Sequence, residues 1–536
     1  MIRESFLPTT GTAAILRRVF SFPVFLGALL VVGIFFGART SIKDPDTWWH
    51  LKVGEQVLRE GTLPTGDPYS FTVPGNHWIA YEWLGEVAMA GVERLGGLPA
   101  LIGLLMALSG TLMVLIYYYS YLRSGNVKAA FVASALMLPA AAVSFNLRPQ
   151  LFGYIIFLLT LISLEKFRQG QKKTLWLLPA LFLLWGNIHG SFVFGMFALG
   201  LYWVAGWKEF RWGGLQAEPW SDGQRRHLGL VFLLSLVALT VTPYGTAVAA
   251  YPLEMAFFQP LNINNIQEWQ PLNISFLAGK ICLGFLLFFL LIQVLSHQMR
   301  YRVEELGLLL FSVYASWQHI RFVIIFALIF TPFLAALLAR WFSAYRAEKD
   351  PHWLNAALMG VIVTLGMVFF PSSSELKGEV AKKFPARAVE YLRQNPAPGP
   401  VLNEYGWGGY LIWSLSPEHK VFIDGRADIY EYGGVLGDYL QIMSLHGDTL
   451  ILLRKYNIRA CLISNEAPLG TLLAALPEWG KAYSDDMSVL YVRRAGYPGV
   501  TDRAHNLGGP IPPAHLTAQI LPAPKGPAAA SGALRQ

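Results

Sequence analysis

Long apolar runs separated by short polar connections organise most of this 536-residue chain. Eleven of them are long enough to cross or nearly cross a bilayer: 18–36, 100–122, 129–145, 151–164, 175–185, 191–206, 228–241, 276–295, 306–315, 322–339 and 354–370. A perpendicular span needs about 20 residues, so the pattern predicts about 11 transmembrane helices, some of them short. A transmembrane barrel would instead alternate apolar and polar residues in segments of about ten. No small-residue cleavage site follows the first run closely, and that run reads as an anchor.

Composition agrees. Hydrophobic residues make up 54% of the chain and charged residues only 14%, against about 25% charged in an ordinary soluble protein. That excludes a water-soluble enzyme, a wholly disordered chain and a disulfide scaffold. The two cysteines, Cys282 in an apolar run and Cys461 in a later polar region, read as buried free thiols. The net charge is +8, but no basic stripe marks a nucleic-acid surface.

The placement of charge orients the spans. With the amino terminus in the cytoplasm, the inner connections hold eighteen Lys and Arg and the outer ones seven, as the positive-inside rule requires. An odd number of spans leaves everything after residue 370 outside, which for a bacterial inner membrane is the periplasm. Residues 371–494 have a soluble composition. Strand-like runs at 400–402, 420–424, 460–464 and 488–492 alternate with helical ones at 385–394, 449–456 and 469–476. The expected organisation is a membrane domain (1–371), a small external α/β domain (372–500) and a disordered Pro/Ala-rich tail (501–536).

Candidate chemistry concentrates in the first external segment, about 37–99. It reads Asp44-Pro45-Asp46-Thr47-Trp48-Trp49-His50 and later Tyr81-Glu82-Trp83-Leu84. Two carboxylates two positions apart can bind a divalent cation, or raise one another's pKa so that one serves as a base. Asp46 and His50 share a face of any helix that starts near Thr47. A structural reading competes: Asp46 as the N-cap of a helix over 47–59, Trp48 and Trp49 as interfacial anchors, and Asp67 as a turn residue.

An acidic motif directly after the first span, a long first external loop, about a dozen spans and an external carboxyl-terminal domain together resemble the GT-C superfamily of integral-membrane glycosyltransferases. The superfamily includes oligosaccharyltransferases, protein mannosyltransferases and lipid A aminoarabinose transferases. The resemblance implies a polyprenyl-phosphate-sugar donor, an external glycan, lipid or protein acceptor, and catalysis at the outer leaflet. Asp46 falls where the family has its acidic residue, and Glu82 near a His-Pro-Pro-Leu stretch that this chain lacks. The Trp-Trp-Asp triplet of oligosaccharyltransferases is missing too, which argues against N-glycosylation. The resemblance also implies that Glu268 completes a Mg or Mn site with Asp44 and Asp46.

Further polar clusters fall at external ends of spans: Asn146 to Gln150 around Arg148, Asn187 with His189, Asn262 to Trp269 around Glu268, and His319 with Arg321. A one-sided polar rim over bare apolar helices suits a lipid-linked substrate, whose head group stays at the interface. Arg148 and Arg321 are candidates to bind the carrier phosphate, unless they merely snorkel to head groups. His50, Glu82, Asn187, His189 and His319 are the other candidate substrate contacts. In the external domain, the segments from Asn403 to Gly409 and from Phe422 to Asp428 are either site elements or glycine turns with an internal Asp–Arg pair.

These readings converge on a membrane glycosyltransferase in which Asp46, supported by Asp44, acts as base in an inverting single displacement. The alternatives are a lipid-linked saccharide flippase or transporter, which would place its polar groups near mid-membrane, and a non-catalytic scaffold with an external binding domain.

Overall fold

The computed structural model describes residues 11–296 and 300–494; the tail expected over 501–536 lies outside them. Each of the eleven apolar runs coincides with helix. Among the described residues, three helices are long and apolar enough to cross a membrane: Trp83–Ser124, Gln150–Arg168 and Ile320–Leu338. A fourth span arises if His352–Val368 and Ser373–Ala381, bent by 63°, are taken together, and four more apolar helices are shorter. The first run is split at Ser21, and the second grows into a helix of 42 residues. The extra length is no single rod. Gly96 and Gly97 break the helix, and the φ of +60° at Gly97 is one that a side chain disfavours. The break leaves residues 83–95 to pack with the first external loop.

Val323–Leu338 is buried along almost its whole length and packs on Val127–Ala142 and on the long helix. An ion network ties the far ends of several helices together. Arg302 contacts Glu165 and Glu305 at 2.6 and 2.5 Å, Arg123 reaches Glu305 at 2.7 Å, and Arg168 pairs with Glu304. Glu165 lies in the last turn of the helix that Gln150 begins, so this network stands roughly 25 Å from Arg148 at 1.5 Å per residue.

The expected helix after Asp46 is present over Asp46–Glu60. It lies tightly on the 83–95 segment because position 54 is glycine: a Cβ there would sit 2.1 Å from the Glu86 carbonyl oxygen. Trp48 is not an interfacial anchor. It is fully buried, with Phe384, Tyr410 and Trp413 rings at 5.5, 5.1 and 4.8 Å.

Those last three rings belong to the carboxyl-terminal segment, whose four-stranded sheet runs in the order Val401–Asn403, Ala460–Ser464, Ser488–Arg493, Trp479–Ser484. The first pair is parallel and the other two antiparallel. The strand expected over 420–424 is absent from this sheet. Val421 makes instead an isolated bridge with Ser70 of the first external loop, exchanging backbone hydrogen bonds with Tyr69 and Phe71 at 3.0 and 3.1 Å. Phe422 packs on Phe71 of that loop and on Tyr439 and Tyr456, while Asn403 accepts its N–H and donates to the Ile423 carbonyl. Residues up to Arg493 accordingly form one compact unit. Cys282 and Cys461 are both buried free thiols.

Candidate active site

The capping of helix Asp46–Glu60 frees Asp46. Pro45, not Asp46, holds the N-cap position, and Asp44 Oδ1 accepts the Asp46 backbone N–H at 2.9 Å. Asp46 is then the first helical residue, where a carboxylate also complements the helix dipole. Thr47 donates to the Leu147 carbonyl at 2.9 Å, fastening the helix to the turn that carries Arg148.

That turn places Arg148 among three carboxylates. Its Nε lies 2.8 Å from Asp44 Oδ2, its Nη1 3.0 Å from Asp46 Oδ2 and its Nη2 2.6 Å from Glu268 Oε1. The expected Mg or Mn position between Asp44, Asp46 and Glu268 is therefore filled by a guanidinium. Among the described residues, the ligand-type atoms that do converge, within 4.8 Å, belong to His50, Glu82 and Glu86.

Those three side chains adjoin one another: one hydrogen bond joins His50 to Glu86, and a longer polar contact joins it to Glu82. His50 Nδ1 and Glu86 Oε1 are 2.9 Å apart, and His50 Nε2 stands 3.5 Å from Glu82 Oε2. His189 approaches the other Glu82 oxygen at 3.3 Å. Because His189 Nδ1 accepts the Ser191 N–H at 3.0 Å, its proton sits on Nε2 and faces Glu82.

Burial sets the protonation states. It raises Asp46 to about 6 even though Arg148 pulls the other way, and raises Glu82 to about 8. It lowers His189 to about 3, helped by Arg321 and Arg148. Burial would raise Glu268 as well, but Arg148 and Arg321 hold it below its ordinary value. Near neutral pH the site thus offers a mostly ionised Asp46, an ionised Glu268, a protonated Glu82 and a neutral His189.

All these groups line one cavity of about 700 Å³. It brings together Asp44, Asp46, His50, Glu82, Arg148, His189, Glu268 and Arg321. Arg321 stacks on Trp269, with 4.2 Å to the ring centroid, and has no ion-pair partner among the described residues. Asn187 and His319 lie outside the lining. Asn187 accepts from the Trp83 indole at 3.0 Å and donates to the Leu183 and Val241 carbonyls, so it brackets two helices. The His319 ring is turned to the Trp269 carbonyl, 2.5 Å away.

No protein-family model and no curated protein matches the sequence. Among solved structures, the chain is similar to the archaeal oligosaccharyltransferase AglB from Archaeoglobus fulgidus in complex with an inhibitory peptide and a dolichol-phosphate. The identity there is 9%, the match covers 84% of this chain and 69% of that one, and the TM-score is 0.47. It is also similar to ArnT from Cupriavidus metallidurans. For the apo state the identity is 14%, with 88% and 99% coverage and a TM-score of 0.48; for the form bound to undecaprenyl phosphate they are 13%, 92% and 100%, and 0.46.

The carboxyl-terminal segment supplies a wall of the cavity through Tyr405, Trp407, Gly425, Arg426 and Asp428. The expected Asp–Arg pair is there, Arg426 to Asp424 at 2.7 Å, and Arg426 also reaches Asp67 at 2.8 Å. Asp67 is a turn residue as well, accepting from the Tyr69 and Ser70 backbone at 3.1 and 3.0 Å. Sequence reasoning missed Lys43, Lys383 and Tyr251 in the lining. Tyr251 donates to Asp428 at 2.9 Å, a pairing across 177 residues that no local pattern announces.

Proposed function

We propose that this chain is a membrane glycosyltransferase that moves one sugar from a polyprenyl-phosphate donor to an acceptor hydroxyl at the outer face of the membrane. The observation that carries the reading is the single cavity: a raised carboxyl, a hydrogen-bonded Glu–His set and an unpaired Arg face one another where apolar helices end. The lipid tail stays in hydrocarbon and the phosphate enters the cavity. Arg321, with Lys43 and Lys383, meets the phosphate, since Arg148 is committed to carboxylates. Glu82, protonated, donates to a sugar hydroxyl.

In the reaction the acceptor O–H gives its proton to the Asp46 carboxylate as the oxygen attacks the anomeric carbon. The bond from that carbon to the phosphate oxygen breaks, and its electron pair leaves with the phosphate, stabilised by Arg321. Attack opposite the leaving group inverts the anomeric centre. The amino terminus is cytoplasmic, and the segment after residue 371 stands outside, over the cavity.

The test is Asp46→Asn in purified protein in liposomes with a labelled lipid-linked sugar. Transfer should fall by roughly 10²–10⁴-fold, with the melting temperature near that of the parent. Unchanged transfer removes Asp46 as base. Translocation of the labelled lipid without any bond exchange would favour a transporter.

A further inference from the structure

Arg148 donates from three different nitrogens to three different carboxylates, each within 3.0 Å. Asp44 is presented by the loop before a helix, Asp46 by that helix, and Glu268 by the short 3-10 helix Gln267–Trp269. The guanidinium bridges these three carboxylates and is largely buried among them, its side chain 12% exposed. Carboxylates gathered from separate elements around one positive centre are the usual surroundings of a divalent ion. A guanidinium does the same work differently. It spreads one charge over a planar fork with five N–H donors and stays charged at every accessible pH.

We propose that Arg148 is a built-in replacement for a divalent cation: it organises Asp44, Asp46 and Glu268, and its removal uncovers a cation site in their place. Burial alone works against its charge, but Asp44, Asp46 and Glu268 together more than offset that cost. Arg148 is a positioning residue here. It holds Asp46 at the cavity wall and holds Glu268 across it. The inference leans on the transfer reading only for its activity arm; the binding arm stands without it.

The experiment uses the full chain, purified in detergent and stripped with chelator, with Mn²⁺ as the probe. Electron paramagnetic resonance should find one more bound Mn²⁺ per chain in Arg148→Ala than in the parent. The extra ion should vanish in Arg148→Ala combined with Glu268→Gln. Mn²⁺ should raise the melting temperature of Arg148→Ala and leave that of the parent unchanged, a readout that survives poor expression of the variant. Parent transfer should withstand chelation. Arg148→Ala should lose roughly a hundredfold and regain part of it on adding Mn²⁺. No extra Mn²⁺ in Arg148→Ala, or parent binding that Glu268→Gln abolishes, overturns the proposal. Failure of Mn²⁺ to restore any transfer to Arg148→Ala, with the extra Mn²⁺ bound, would count against the transfer reading alone.

Discussion

Gly425 and Asp46 touch so closely that a Cβ at position 425 would lie 1.7 Å from Asp46 Oδ1 and 3.1 Å from Trp49 Nε1. The carboxyl-terminal segment therefore meets the proposed base with no side chain between them. Gly425→Ala must turn the Asp46 carboxyl out of its contact with Arg148 or push the segment away. Transfer should drop at least about a hundredfold, as expected when a reacting group is misplaced by an ångström. Circular dichroism of the variant should match the parent; full activity would show that Asp46 does not work in its present orientation.

The pH dependence follows from two carboxyls. Asp46 accepts a proton only when ionised, so the acid limb of kcat/KM should bend near 6. Glu268 raises Asp46 by repulsion, and removing its charge must lower it. Glu268→Gln should thus move the acid limb to lower pH. The stability contribution has the opposite sense to that of an ion-paired acid. With the folded value above the unfolded 3.8, it is present at low pH and is lost as pH rises through about 6. Asp46→Asn should remove that slope from the melting curve between those values. An acid limb unmoved in Glu268→Gln would contradict the coupling.

Glu82 sets the other side of the profile. Its proton is retained up to about 8, so donation to substrate should fail above that pH and give an alkaline limb. An amide keeps a donor without titrating. In Glu82→Gln the alkaline limb should flatten, which a rate profile from pH 6 to 10 would resolve.

Arg426 is the pin between the first external loop and the carboxyl-terminal segment, 3% exposed and paired with both Asp67 and Asp424. Arg426→Ala leaves two buried carboxylates without their cation, and breaking such a pair costs about 3–5 kcal/mol. The melting temperature should fall sharply, and limited proteolysis should release the carboxyl-terminal segment first. A melting temperature within a degree of the parent would mean the pair contributes nothing net.

Helix positions were legible because apolar periodicity is a local signal, and so was the strand Ala460–Ser464, all of whose apolar residues are buried. Residues 420–424 misled because an extended apolar stretch pairs equally well with a sheet or a loop, and its partner Ser70 is 351 positions away. The acidic motif was legible from its place after the first span. The role of Arg148 was not: a charged residue at a helix end looks the same whether it reaches for lipid or for carboxylates drawn from elsewhere. Asn187 and His319 shared the rim's polarity but spend their hydrogen bonds on backbone carbonyls and, for Asn187, the Trp83 indole.

The wall formed by Tyr405 and Gly425 has a bearing on biosynthesis. A nascent chain grown as far as residue 370 carries Asp44, Asp46, Glu82, Arg148, Glu268 and Arg321, yet it lacks Lys383, Arg426 and Asp428 and the wall they complete. The cavity is complete only once the carboxyl-terminal segment has settled onto the loop made first, so on the proposed reading an unfinished polypeptide has no enclosed site in which to react.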